Sequence, residues 1–148
     1  MENELFIEAL RQLRRDLGSS QVVFSHMTLV PRPTGVDEQK TKPTQQSTAL
    51  LNCRGVSPDM MLCRCESWLT SSTKDKISTF TYVDVDEIYS CVDVDSVYRI
   101  PENFYEQGMH ESLSSMLGVI EPSLETYREW ERRLDRSKTE SATVAIAG

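Results

Sequence analysis

The chain has 148 residues, with 16 lysines and arginines against 23 aspartates and glutamates, a formal charge of −7. Its 39% hydrophobic and 26% charged content places it with globular proteins and outside the disordered class, and the length fits one domain. No apolar run nears the roughly 18 residues of a membrane helix, the start Met1-Glu2-Asn3-Glu4 is acidic where an export signal is basic, and the negative balance argues against sequence-blind nucleic-acid binding.

Phe6, Ala9, Leu10, Leu13 and Leu17 recur at spacings of three and four and predict an amphipathic helix over residues 3–17. Asn3 can cap its start and Gly18 close its end. Arg11, Arg14 and Arg15 sit toward its negative end, where cations are favoured. Gln21 to Val30 is β-branched and aromatic and predicts a strand. Both its faces carry apolar groups, which places it centrally in a sheet, with His26 as a core or edge histidine rather than a catalyst.

Residues 31–47 are polar and interrupted by Pro31, Pro33, Gly35 and Pro43, and predict a long surface loop. Pro31-Arg32-Pro33 is extended and offers a docking segment to a partner. Residues 48–56 and 60–70 alternate through Ala49, Leu51 and Cys53, then Met61, Cys63, Cys65 and Leu69, predicting two strands around a turn at Gly55 to Asp59. After a polar turn at 71–76, Ile77 to Val85 predicts a strand pairing with 61–70 as a hairpin.

One motif repeats: Val83-Asp84-Val85-Asp86-Glu87-Ile88-Tyr89 recurs as Val92-Asp93-Val94-Asp95-Ser96-Val97-Tyr98. The pattern predicts strand, short turn or helix, strand. Asp84, Asp86, Asp93 and Asp95 are candidate hard-oxygen ligands for magnesium or calcium. No glycine stands where a calcium loop requires one, so the expected reading is an acidic, solvated sheet face. Cys53, Cys63, Cys65 and Cys91 are candidate zinc ligands only if three strands align them, because the close pair is Cys-x-Cys rather than the usual knuckle. Buried reduced thiols are the simpler expectation.

Residues 102–120 predict a helix weakened at Gly108, and 122–136 a second, in which Leu124, Tyr127, Trp130 and Leu134 form a stripe expected to be buried. In the tail, 137–148, Val144 and Ile146 can face one way and add to a neighbour's sheet edge. Together these elements predict an α+β domain over 1–136: an N-terminal helix, a mainly antiparallel sheet, and two C-terminal helices, followed by an arm.

No Gly-x-Ser-x-Gly elbow and no glycine-rich phosphate loop occur. The function expected on these grounds is non-enzymatic: a structural or assembly subunit of a larger complex, such as a viral or phage particle. It would bind other protein subunits, as homo- or hetero-oligomer, through Pro31, Arg32, Pro33, Val144 and Ile146. Two alternatives stand beside it: a small acidic regulator or inhibitor of a basic partner, and a metal-dependent enzyme using the acidic repeat. No cofactor is predicted, and the expected location is the cytoplasm or a particle assembled there, without secretion or membrane insertion.

Overall fold

The computed structural model describes residues 4–139, with side chains through residue 136. Helix α1 spans Glu4–Leu17 and strand β1 Ser25–Leu29. Helix α2 (Lys42–Asn52), strand β2 (Met60–Cys65), helix α3 (Ser71–Thr81) and strand β3 (Ile88–Val92) follow in alternation. Helices α4 (Ile100–Glu106), α5 (Met109–Leu117) and α6 (Leu124–Thr139) complete the described chain. Among the described residues the sheet has three strands in the order β1-β2-β3. Both pairings are parallel, with Ser25 beside Met60 and Met61 beside Ile88. Parallel neighbours need a crossover, and α2 and α3 are those crossovers.

The expected α+β fold with a mainly antiparallel sheet is therefore corrected to an α/β fold with a parallel one. Residues 48–56 do not form a strand; most of them complete α2. The run from Ile77 is the second half of α3, so the hairpin of 61–70 with 77–85 does not exist. Threonine explains both misreadings. In α2, Thr44 and Thr48 are fully buried. The Thr48 hydroxyl donates to the Thr44 carbonyl at 3.0 Å, and the Thr44 hydroxyl donates to the Leu29 carbonyl at 3.2 Å. In α3 the buried face is Thr73, Ile77 and Thr81, one residue per helical turn. Pro43 lies in the first turn of α2, where the lack of an N–H is harmless, rather than in a loop.

The core lies between the sheet and these two helices and contains Val30, Met61, Cys63, Cys65, Leu69, Ile77, Val83 and Ile88. Burying each large aliphatic member contributes roughly 1.5–3 kcal/mol. Alternation sends Met60 and Tyr89 to the opposite face, where both are buried as well. There the Tyr89 hydroxyl donates to Glu87 at 3.0 Å, and Ser112 of α5 donates to the other Glu87 oxygen at 2.6 Å.

β1 is an edge strand, not the central one expected, and Met27 and Leu29 on it are exposed. The region predicted as one helix over 102–120 is divided into α4 and α5 by Gly108, whose φ of 78° no ordinary helical residue adopts. The stripe predicted as buried on the last helix is partly exposed, with Leu124 and Trp130 on the surface. What holds α6 is the Tyr127 ring stacked on Tyr105, centroids 3.7 Å apart, and Trp130 Nε1 donating to the Tyr98 carbonyl at 3.1 Å. No described helix is long and apolar enough to cross a membrane.

Candidate functional site

In a parallel sheet every strand's C-terminal end faces the same way, so the loops that follow the strands gather at one edge, the usual ligand side of such sheets. Here the loop 30–41 after β1 and the loop 66–70 after β2 meet and enclose a cleft of about 390 Å³. Gln39 joins the two loops. Its amide nitrogen donates to the carbonyls of Ser67 and Trp68 at 3.2 and 3.0 Å, and its amide oxygen accepts from the Thr70 N–H at 3.2 Å. The first loop is closed on itself by Lys40 N–H donating to the Pro31 carbonyl at 2.9 Å, and by a turn at Gly35 (φ 81°) in which Val36 N–H reaches Pro33.

The two helices that begin at this edge are prepared differently. Thr70 caps α3, its hydroxyl accepting from Thr73 N–H at 3.1 Å. Thr41 does not cap α2; its hydroxyl accepts from Gln45 Nε2 at 3.0 Å instead. Beside these positive helix ends stand Lys42 at the start of α2, Lys76 on α3, and Arg32 and Lys40 in the loop. Arg32 pairs with Asp37 and Lys40 with Glu38. The Lys40 hydrogen bond, helped by its charge and that of Lys76, holds the Glu38 carboxyl below the usual carboxylate range. On a chain of net charge −7, this edge concentrates cations, and the arrangement suits a polyanion with several oxygens to share among lysines and backbone N–H groups.

A second cleft, about 420 Å³, opens near the other edge between Arg14, Asp59, Tyr82 and Glu87. Three of its charged groups are engaged: both Asp59 oxygens take Arg14, at 2.5 and 2.7 Å, and one also accepts Phe24 N–H at 2.7 Å. Glu87 is held by Tyr89 and Ser112. This cleft fastens α1 to the domain.

The residues singled out from sequence do not converge. Asp84 and Asp86 precede β3 and Asp93 and Asp95 follow it, so the two halves of the repeat stand a strand length apart, roughly 16 Å. Asp93 lies 3.4 Å from Arg64 and Asp95 3.6 Å from Arg99. Cys63 and Cys65 are buried, Cys91 is half-buried and Cys53 is exposed at the end of α2. Among the described residues no group of three or more histidine, cysteine or acidic side chains is placed to hold a metal ion. Burial pushes the Cys63 thiol up to about 12 and Cys65 to about 11, so neither is a ready thiolate. His26 Nε2 meets Ser47 Oγ at 2.9 Å under α2, and burial lowers its pKa. Of the proposed interface residues, Pro31, Arg32 and Pro33 lie on the cleft's loop, while Val144 and Ile146 fall outside the described residues. Sequence reading missed Gln39, Lys40, Lys42 and Lys76; the signal was their position just after or within segments that alternate strand and helix.

Residues 1–119 match the family described as CTP synthase N-terminus. The chain is similar to the CTP synthase of Borreliella burgdorferi, 46% identical over 126 residues, covering 84% of this chain and 24% of that protein. It is 42% identical over 143 residues to the CTP synthase of Nitratidesulfovibrio vulgaris, covering 95% and 26%. The CTP synthase of Oleidesulfovibrio alaskensis is 38% identical over 146 residues, covering 99% and 26%. The chain thus spans about a quarter of the length of these relatives. These matches overturn the expectation of a non-enzymatic assembly subunit of a viral or phage particle, and they support neither the acidic regulator nor the small metal-dependent enzyme. The relatives are metabolic enzymes by name, and the acidic balance that suggested a regulator is broken by the cationic edge just described.

Proposed function

The chain belongs to the CTP synthase N-terminus family, and on that premise we propose that it is part of a CTP-forming enzyme and that its cleft holds the phosphate groups of a pyrimidine nucleotide. The observation that carries this reading is that Arg32 and Lys76 line the cleft, with Lys40 held at its rim by Glu38, next to an uncapped α2 that begins at Lys42, on a chain that is acidic overall. CTP is a nucleoside triphosphate, and its negative oxygens match lysine ammonium groups and free backbone donors. Gln39 positions the cleft: by tying two loops together it fixes the spacing between Lys40 on one and Lys76 beyond the other. Glu38 occupies the lysines until an anion arrives. The share of the work proposed for this chain is binding and orientation, since about three quarters of the relatives' length lies outside the match. The proposed setting is the cytoplasm, because charged nucleotides do not cross membranes unaided, and the proposed assembly is a homo-oligomer.

Isothermal titration of the chain with CTP, inorganic triphosphate and cytidine tests the reading. CTP and triphosphate are expected to bind and cytidine not to. Lys40→Ala and Lys76→Ala are each expected to weaken CTP about tenfold, the equivalent of about 1.4 kcal/mol, with the affinity falling as salt is raised. CTP affinity in both lysine variants unchanged from that of the unsubstituted chain, or cytidine binding as tightly as CTP, would overturn it.

A further inference from the structure

The loop after β2 carries a tryptophan whose backbone is fixed on both sides. The carbonyls of Ser67 and Trp68 accept from Gln39 Nε2 at 3.2 and 3.0 Å, and the N–H of Leu69 donates to Ser90 Oγ at 3.1 Å. Leu69 is buried in the core, and Thr70 caps α3 directly after it. The Trp68 side chain, by contrast, is 50% exposed and lines the cleft with Arg32, Ser72 and Lys76. Among the described residues its indole meets no other ring and no hydrogen-bond acceptor. The second tryptophan differs: Trp130 Nε1 donates to the Tyr98 carbonyl at 3.1 Å and its ring leans on that of Tyr98. An open aromatic face on a fixed backbone has little conformational freedom left to lose when a flat ligand covers it.

We propose that Trp68 is a base-stacking residue that makes this cleft select a nucleotide over a bare polyphosphate; the proposal rests on the reading of the cleft as a phosphate site. Cations alone cannot make that choice, because CTP and inorganic triphosphate offer them the same chain of phosphate oxygens. The indole supplies the difference. Lys76 stands well beyond the Thr70 cap, roughly 9 Å along α3, so the aromatic face and the ammonium mark separate parts of the cleft. A nucleoside triphosphate is built to the same plan, with a flat ring at one end, charge at the other and a ribose between them. The cleft, about 390 Å³, has the size of sites that enclose small organic ligands. Stacking responds to the π-face that every base presents. Trp68 therefore separates nucleotides from triphosphate without separating one base from another.

Isothermal titration of the full chain with CTP and with inorganic triphosphate tests the proposal. The unsubstituted chain is expected to bind CTP at least about tenfold more tightly than triphosphate. Trp68→Ala is expected to remove that preference by weakening CTP alone, and Trp68→Phe to keep most of it. Fluorescence gives a readout that leaves Trp68 in place. The chain has two tryptophans, so Trp130→Phe isolates the Trp68 emission, which CTP is expected to quench and triphosphate to leave unchanged. Triphosphate binding with no preference for CTP, CTP affinity unchanged in Trp68→Ala, or CTP binding that leaves the Trp68 emission unaltered would each overturn the stacking while the phosphate reading stands. Binding of neither ligand would overturn the phosphate reading, and this proposal with it.

Discussion

The side-chain amide of Gln107 meets both backbone groups of Ser90: its oxygen accepts from Ser90 N–H at 2.7 Å and its nitrogen donates to the Ser90 carbonyl at 2.9 Å. One side chain thus satisfies the outer backbone groups of Ser90 as an adjacent strand would. It does so because Gln107 ends α4 and Gly108, at φ 78°, turns the chain away immediately after it. Gln107→Ala leaves buried backbone donors and acceptors without a partner and is expected to cost about 1–3 kcal/mol. Gln107→Glu is expected to cost more than retention of shape suggests, since it sets a carboxylate oxygen against the carbonyls of Ser90 and Asn103. Urea denaturation of both variants measures this; unchanged midpoints would show that water replaces the contact.

The two cysteines of β2 and Tyr89 of β3 make the fold sensitive to alkali. Burial raises Cys63 from about 9 to about 12, Cys65 to about 11, and Tyr89 from about 10 to about 12. Each is held protonated in the folded chain and ionises first in the unfolded one. Stability is therefore complete below about pH 9 and is lost as pH climbs toward the folded values. Melting temperature is expected to fall steadily above pH 9, and Cys63→Ala to make that fall shallower.

His26 sets the opposite limit. Its pKa is lowered by burial, so the unfolded chain takes up the proton first as pH falls below about 6.5. Stability is full above that value and declines toward the lower folded one. A His26→Gln variant, able to keep a bond to Ser47, is expected to flatten the melting temperature between about pH 7 and pH 5. A profile identical to that of the unsubstituted chain would place the acid sensitivity elsewhere.

Glu38 competes with the proposed ligand for Lys40. Glu38→Gln keeps the side chain's length and removes the charge, and is expected to tighten CTP a fewfold, most visibly at low salt. Weaker binding in this variant would mean that Glu38 shapes the cleft instead of occupying it.

α1 was legible from the spacing of Phe6, Leu10, Leu13 and Leu17, and its bounds agree with Glu4–Leu17 within a residue. β1 and β2 were legible as strands, with ends set too far out. What the pattern hid was the helical nature of 42–52 and 71–81. A helix that packs through threonine lacks an apolar stripe in ordinary terms, and Ile77-Ser78-Thr79-Phe80-Thr81 is rich in the β-branched and aromatic residues that favour strands. Counting threonine as apolar restores the four-residue spacing of Thr44 and Thr48, and of Thr73, Ile77 and Thr81. Once these segments read as strands, no parallel sheet could be inferred and no ligand-bearing edge followed from it. Lys40 and Lys76 then looked like scattered surface charges, because their approach to Glu38 from two sides depends on a crossover between strands rather than on proximity in sequence.

The parallel pairing also sets an order in time. Ser25 aligns with Met60, and Met61 with Ile88, so no strand can pair with the one made just before it until a whole connecting helix has been synthesised. At roughly 5–20 residues per second, β1 waits a few seconds for β2, and β2 waits again for β3. During the first wait Met27 and Leu29 lack β2, and the threonines of α2 have only β1 of the three described strands to cover. The nascent chain is therefore most exposed to mispairing between the emergence of Leu29 and that of Met60, and slowing the ribosome there would raise aggregation far more than slowing it after Val92.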